Sequence, residues 1–407
     1  MISTTIQQCK SLKSRIKSLL LSVSFLGSTL SGMSLDEVIA KALNDNYTLE
    51  SITYRISANH ANIDLSKQFA NPRLSYAQNT IDDNQAMSRQ TVTVQQKIPY
   101  FGKRDSLQKV AQAEEELLNG SLQKARVRLV NEIKNQAYTI WELERLYTII
   151  CDYEDLTRHN IDLFESYTMT SDNQHMGIVS AELTLSDLRI QKSTLNAQIY
   201  MAYAKLSYLT SFEVKDLVMN LEVGDMPGAS TLEAGLKNNS DIALEEKKVQ
   251  KKRAKLEIAE LNHYPDLSLM GGYSYRKNFD NYWSFGVGIS LPVYGREDSQ
   301  EEEARKIVLS AKSLKEDTKV AVNTEFHKAY LQMKSAYEIY HIVHDEALPQ
   351  IEHMFELTNS SISTGGDLFK YIDILIQKLK LERKSIGAVA NYKRAEAKIA
   401  ELSGAMQ

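Results

Sequence analysis

Between Trp283 and Leu291 the chain alternates at every position, with Phe285, Val287, Ile289 and Leu291 on one side and Ser284, Gly286, Gly288 and Ser290 on the other. A period of two predicts a strand with two different faces. Its length of about nine residues is what a tilted strand needs to cross a bilayer. A partner strand follows the same rule, with Leu267, Leu269, Tyr273 and Tyr275 against Ser268, Gly272 and Ser274, and the chain turns back near Asn278 to Asn281. A plainer pair lies earlier, with Leu74 and Tyr76 against Ser75 and Ala77, then Val92 and Val94 against Thr91 and Thr93. Small and polar residues on the second face suit a wet lumen, and Tyr273, Tyr275, Tyr282 and Trp283 are candidates for an interfacial aromatic girdle. The alternative is two hairpins of a soluble sandwich, which would have to interrupt unusually long helices.

Those helices are read from the absence of breakers. After Gly102 the pattern runs to about Ser166 with Gly120 alone, and after Gly295 to about Thr364 with Pro349 alone. Within the second run Val322, Phe326, Ala329, Met333, Ala336, Tyr340, Val343 and Ala347 recur in steps of four and three, the period of coiled-coil packing. At 1.5 Å per residue, about 60 helical residues make a rod of roughly 90 Å. Each run then meets a polar turn, Thr170 to Gly177 or Asn359 to Gly366, and a second helix returns to Ser211 or Ser403. Gly177, Gly365 and Gly366 are the expected tip-turn residues.

The two sets of elements are copies of one unit. Asn71-Pro72-Arg73-Leu74-Ser75 returns as Tyr264-Pro265-Asp266-Leu267-Ser268, an offset of 265 − 72 = 193. The same offset carries Leu43 to Leu236, Asn46 to Asn239, Pro99 to Pro292, Gly102 to Gly295 and Leu209 to Leu402. It slips by one where Ala137-Tyr138 meets Ala329-Tyr330. The expected organisation is a leader over residues 1–32 and a first repeat over 33–212, with strand hairpin 73–98 and helical hairpin 103–212. A linker over 213–229 leads to a second repeat over 230–407, with strand hairpin 266–291 and helical hairpin 296–404.

Charge and chemistry narrow the function. Lys10, Lys13, Arg15 and Lys17 precede a short apolar run broken by Ser22, Ser24 and Gly27, the layout of a signal peptide. Cys9 precedes that run and is not a lipidation site. Cys151 alone would remain in the mature chain, so no internal disulfide is expected. A net charge of −4 gives no general reason to bind nucleic acid, and the basic stretch from Lys247 to Lys255 reads as a solvated helix face. His341 and His344, with His353 and Met354 beyond them, have a spacing that can hold a metal ion, but a packed or solvated pair is the preferred reading and no metal site is expected. Neither a nucleophile triad nor a phosphate-cradling loop is found, so the reading is not an enzyme and needs no cofactor.

Four membrane strands cannot close a barrel, and an open edge is not tolerated in lipid. Two chains would give eight strands filled by side chains, whereas three would give twelve and a wider interior. The chain also carries Leu232-Glu233-Ala234-Gly235-Leu236-Lys237-Asn238-Asn239 and the Pro-x-Leu-Ser strand starts. The junctions Ile98-Pro99-Tyr100-Phe101-Gly102-Lys103-Arg104 and Leu291-Pro292-Val293-Tyr294-Gly295-Arg296 complete the pattern. In these the chain resembles the TolC family of outer-membrane efflux proteins. The resemblance implies a mainly α-helical fold with a membrane β-barrel portion: a homotrimer with a twelve-stranded barrel in outer-membrane lipid and a coiled-coil helical barrel reaching through the periplasm. It implies docking to a periplasmic adaptor (membrane fusion) protein and an inner-membrane pump of the RND type. Pro99, Gly102 and Lys103, with Pro292, Gly295 and Arg296, are then the strand-to-helix junctions. Asp373, and after it Asp367, resemble the acids that constrict the periplasmic aperture in this family. The Phe-Gly-Lys-Arg junction looks closest to members that serve heavy-metal pumps. A periplasmic adaptor or coiled-coil tether is the rival reading, but it would have one helical hairpin rather than two.

Overall fold

The computed structural model describes residues 32–79, 85, 87–167, 172–362 and 368–405. The expected leader, except for its last residue Gly32, lies outside these residues. Two chain-start elements, β1 (Met33–Ser34) and α1 (Leu35–Asp45), are followed by α2 (Tyr47–Lys67), β2 (Arg73–Gln78), β3 (Arg89–Ile98), α3 (Lys103–Tyr167) and α4 (Asp172–Thr210). The second half gives β4 (Leu217–Val218), α5 (Ala229–Glu233), α6 (Ser240–Leu261), β5 (Leu267–Arg276), β6 (Tyr282–Ile289), α7 (Arg296–His341), α8 (Leu348–Ile362) and α9 (Leu368–Leu402). α3 alone is 65 residues long, so at 1.5 Å per residue it spans roughly 100 Å. None of the described helices is long and apolar enough to cross a membrane.

Local chemistry sets the boundaries. Ser34 caps α1 in a reciprocal capping box with Glu37. Asn46 caps α2 by accepting from the backbone N–H of Thr48 and Leu49, while its Nδ2 donates to the carbonyl of Leu209 at 2.8 Å. Asn239 repeats this at α6, accepting from Asp241 and Ile242 and donating to Leu402 at 2.8 Å. Donors and acceptors are all displaced by 239 − 46 = 402 − 209 = 193. The internal duplication therefore survives down to single hydrogen bonds. It ties each copy's entry helix to the end of its returning helix.

The long helix of the second copy is interrupted. Residues Ile342–Ala347 form a π-helical segment, and the N–H of Leu348 reaches back to the Val343 carbonyl. Pro349 lacks the N–H that would return to Asp345, so the α-helical ladder cannot run through this point, and a wider turn takes up the mismatch. The predicted core stripe runs up to and into this segment: Val322, Phe326, Ala329, Met333, Ala336 and Val343 are buried, and Tyr340 and Ala347 are half-buried.

β2, β3, β5 and β6 form one antiparallel sheet in that order. The central pairing, β3 with β5, joins the two copies over ten residue pairs from Arg89↔Arg276 to Ile98↔Leu267. Among the described strands β2 and β6 are open edges. Below the sheet α3 packs with α4, α7 with α9, and α6 lies between α3 and α7. One apolar core joins α1, α3 and α4, a second lies where α3, α4 and α9 approach the far tip, and a third runs between α7 and α9.

Candidate functional site

Strand pairing sorts the sheet residues into two faces. Leu74↔Val94, Tyr76↔Val92, Val92↔Tyr273, Leu269↔Val287 and Tyr273↔Trp283 lie on one face. Ser75↔Thr93, Thr91↔Ser274, Ser268↔Gly288 and Gly272↔Ser284 lie on the other. Among the described residues nothing covers the apolar face: Trp283 is 69% exposed, Phe285 85% and Val287 68%. A contiguous exposed apolar surface of this kind marks a contact with lipid or protein. Tyr273, Tyr275 and Trp283 share it, and the Tyr273 and Trp283 rings sit 5.1 Å apart. Tyr282 does not belong with them. Neighbouring residues of a strand point to opposite sides, and Tyr282 pairs with Ser274 on the polar face, where its hydroxyl accepts from Arg89 Nη1 at 2.9 Å. The four-residue girdle expected from composition is thus three residues on this face.

At both strand-to-helix junctions the glycine adopts the left-handed conformation, φ +91° at Gly102 and +67° at Gly295. A side chain there is strained whatever space surrounds it. Pro99 and Pro292 stand just past the paired strands, where a missing N–H costs no ladder bond. The first junction is locked by Asp266, a residue that sequence reading passed over. Its Oδ1 accepts from Lys103 Nζ and from the Tyr100 N–H, at 2.8 and 2.9 Å, and its Oδ2 lies 3.4 Å from Lys97 Nζ. Lys103 also donates to the Tyr264 carbonyl, and the Tyr100 and Tyr264 rings stack 4.5 Å apart. Arg296 opens α7, and its counterpart of Asp266 in the first copy is Arg73 (266 − 193), so the lock is not repeated within the chain.

At the far tip Leu368, Tyr371, Ile372 and Leu375 turn into the core, leaving Asp373 exposed on the opposite side of α9. Its carboxylate accepts from Gln377 Nε2 at 2.8 Å. The start of α9 is pinned from inside by Asn160 Nδ2, which donates to the Tyr371 hydroxyl at 3.0 Å. Asp367, Gly365 and Gly366 lie outside the described residues. Gly177 is not a turn residue but sits inside α4 and is buried, and a Cβ there would lie 3.2 Å from Leu368 Cβ. Its missing side chain is used for close helix packing rather than for a turn.

Deeper in the helices, Glu154 is almost wholly buried and meets three cations: Arg158, Arg189 and Lys192, the last at 2.7 Å. Burial pushes its carboxyl upward, but the bonds from Lys192 and the nearby guanidinium groups outweigh it and hold the pKa below the usual range. Glu144, bonded by the Tyr203 hydroxyl at 2.8 Å, goes the other way, because burial dominates and raises it. Two lysines of the basic stretch of α6 pair across to α3, Lys247 with Glu116 and Lys251 with Glu114, while Lys248, Arg253 and Lys255 are exposed. His341 bonds Asp345 at 2.7 Å, and His344 stacks on Tyr340 with centroids 5.1 Å apart. Among the described residues no cluster of metal-ligating side chains forms around them.

Residues 231–405 match the family model described as outer membrane efflux protein. Three solved channels illustrate the structural likeness. CusC superposes with a TM-score of 0.78 at 13% identity, covering 95% of this chain and 96% of that one. The CmeC outer membrane channel of Campylobacter jejuni gives 0.76 at 14% identity, covering 94% and 90%. The open state of the MtrE outer membrane channel of Neisseria gonorrhoeae gives 0.79 at 14% identity, covering 95% and 94%. No curated relative matches the chain. At these identities the likeness establishes the fold, a mainly helical TolC-like architecture with a four-stranded sheet per chain.

Proposed function

From a second repeat that matches the outer membrane efflux protein family and a whole chain with the fold of its channels, we propose that this protein is the outer-membrane channel of a tripartite efflux system. It acts as a passive conduit from periplasm to exterior, with no chemistry of its own. The observation that carries the reading is the two-faced sheet, apolar outside and polar inside, with both edges unpaired, at one end of helices roughly 100 Å long. Exposed edges and an uncovered apolar face are costly in water and in lipid alike unless the sheet closes with further copies. Three chains supply twelve strands, enough for an open lumen. The helices then extend into the periplasm, where an adaptor and an inner-membrane pump of the RND type engage the tips.

Asp373 is the aperture residue of this reading, a carboxylate that points away from its own chain's core at the periplasmic end. Three copies would form an acidic ring that favours cations and can be opened by competing contacts from a partner. A heavy-metal cargo rests on the Phe-Gly-Lys-Arg junction alone. The charged side chains of the sheet's polar face are cations, which speaks against a bare metal ion.

Fractionation and reconstitution test the channel. Heat-modifiable oligomers in the outer-membrane fraction that conduct in planar bilayers are the expected result, and quantitative release in a periplasmic extract would refute it. For the cargo, a deletion strain is compared for tolerance to copper, zinc, cadmium, bile salts and dyes. Unchanged metal tolerance alongside dye sensitivity removes the metal reading.

A further inference from the structure

The chain shows once how two copies of its unit join. β3 of the first copy pairs with β5 of the second, with Ile98 opposite Leu267, Lys97 opposite Ser268 and Gln96 opposite Leu269. The 193-residue offset moves β3 onto β6 and β5 onto β2, the two edges of the sheet. The same register then sets Leu291 (98 + 193) opposite Leu74 (267 − 193), and Ile289 (96 + 193) opposite Tyr76 (269 − 193). All four are exposed within the chain and belong to the apolar face. On the polar face Ser290 (97 + 193) comes opposite Ser75 (268 − 193). A slip of one residue would set Leu74 against Ser290 and turn every apolar side chain of one strand to the polar face. Four strands cannot close on themselves, so the β2 that meets β6 belongs to a second copy of this chain.

One feature of the internal seam is not carried over. Where β3 and β5 end, Asp266 takes Lys103 and the Tyr100 N–H on one carboxylate oxygen and faces Lys97 with the other. At the two edges the same three positions hold Arg73 for Asp266, Arg296 for Lys103 and Ser290 for Lys97. An acid shared between cations is thus exchanged for one arginine brought up to another. We propose that β6 of one chain pairs with β2 of the next in the register of Leu291 on Leu74 and Ser290 on Ser75, and that Arg73 and Arg296 meet at the helical end of this seam as an unlocked counterpart of the Asp266 junction. The inference rests on the channel reading above and adds the surface by which one copy receives the next. The lumen wall is incomplete without the neighbour's β2. Its apolar face runs on unbroken through Leu74 and Tyr76, and the ladder and these side chains hold the seam without an ion pair at its end.

Cysteine pairs in the full-length protein, oxidised in the outer-membrane fraction and run on non-reducing denaturing gels, test the register. Ser75→Cys with Ser290→Cys should give a ladder of covalent oligomers, because residues directly opposite on antiparallel strands lie within disulfide reach. Ser75→Cys with Gly288→Cys stays on the same face but is displaced by two residues, beyond the roughly 7 Å between Cα atoms that a disulfide can bridge, and should give none. The unlocked junction is tested by rebuilding the lock. Arg73→Asp places a carboxylate before Arg296 of the neighbour, as Asp266 stands before Lys103, and the oligomer should dissociate at a higher temperature than wild type on heated gels. Arg73→Asp with Arg296→Asp should lose that gain. Because the expected effect is a gain, poor folding of the variant cannot imitate it. Conducting oligomers in which the displaced pair cross-links as well as the facing pair, or in which neither does, overturn the register and leave the channel intact. An unchanged or lowered dissociation temperature for Arg73→Asp overturns the meeting of Arg73 with Arg296. Absence of any conducting oligomer in wild type overturns the channel reading and the inference with it.

Discussion

Glu154 and Glu144 show how one residue type in one long helix can act in opposite directions. Glu154 is buried with three cationic partners, and its folded pKa lies below the unfolded one. Its stabilisation is present above the unfolded carboxylate range and is lost as pH falls through the depressed folded value. Glu154→Gln should therefore cost on the order of 1.5–3 kcal/mol near neutrality, because it removes the charge-assisted bonds of the largely buried Lys192 and of Arg158 and Arg189, which keep access to water. The loss should appear as earlier thermal melting of the helical circular dichroism, with the gap to wild type closing in acid. For Glu144 the folded pKa is raised by burial, so its favourable term is full at low pH and fades as pH rises through that value. Glu144→Gln keeps an acceptor for the Tyr203 hydroxyl and removes a charge that burial disfavours. Its melting at neutral pH should equal or exceed that of wild type. At the junction, Asp266→Asn keeps the side chain's shape but removes the charge that Lys97 and Lys103 share. The oligomer should then dissociate at a lower temperature on heated gels, while the isolated helical melt changes little.

At the scale of elements, what sequence could show was what repeats locally. Period-two alternation marked the sheet residues because one face must be apolar and the other polar along a single strand. The coiled-coil stripe marked α7 for the equivalent helical reason, and the 193-residue offset found Asn46 and Asn239 before their shared capping geometry was seen. What was missed depends on contacts across the chain. Asp266 locks a junction more than 160 residues away and has no counterpart in the first copy, where Arg73 stands, so neither repeat nor local pattern flags it. Composition alone groups Tyr282 with its aromatic neighbours, although alternation next to Trp283 sends it to the other face. Gly177 reads as a turn because glycine usually breaks helices, whereas in the fold it is the contact point between α4 and Leu368 at the start of α9. That contact sets a prediction about the tip. Gly177→Val adds a branched side chain where even a Cβ would be 3.2 Å from Leu368, which must displace the first turn of α9, and with it Asp373. Single-channel conductance should rise above that of wild type; unchanged conductance would uncouple this packing from the aperture.

For the whole molecule the duplication specifies its own missing partner. Within the chain α6 rests on α3 through Lys247 with Glu116 and Lys251 with Glu114. Moving each residue to its counterpart in the other copy, 247 − 193 = 54, 116 + 193 = 309, 251 − 193 = 58 and 114 + 193 = 307, converts the ion pairs into Tyr54 with Leu309 and Ala58 with Ile307. Tyr54 is 66% exposed and Leu309 51%. They lie on α2 and α7, and in a ring of chains α2 of one would meet α7 of the next as α6 meets α3. At these two pairs the seam inside the chain is polar and its counterpart between chains apolar. A mismatch of this kind keeps each helix from docking in the wrong seam, since a lysine facing a leucine loses its partner on burial. Tyr54→Lys alone should lower the oligomer fraction on native gels and in light scattering, and Leu309→Glu alone should do the same. Combining them rebuilds across the seam the ion pair that α6 makes with α3, and the oligomer should recover relative to either single change. Losses that merely add in the double variant would place Tyr54 and Leu309 on different surfaces and break the proposed ring.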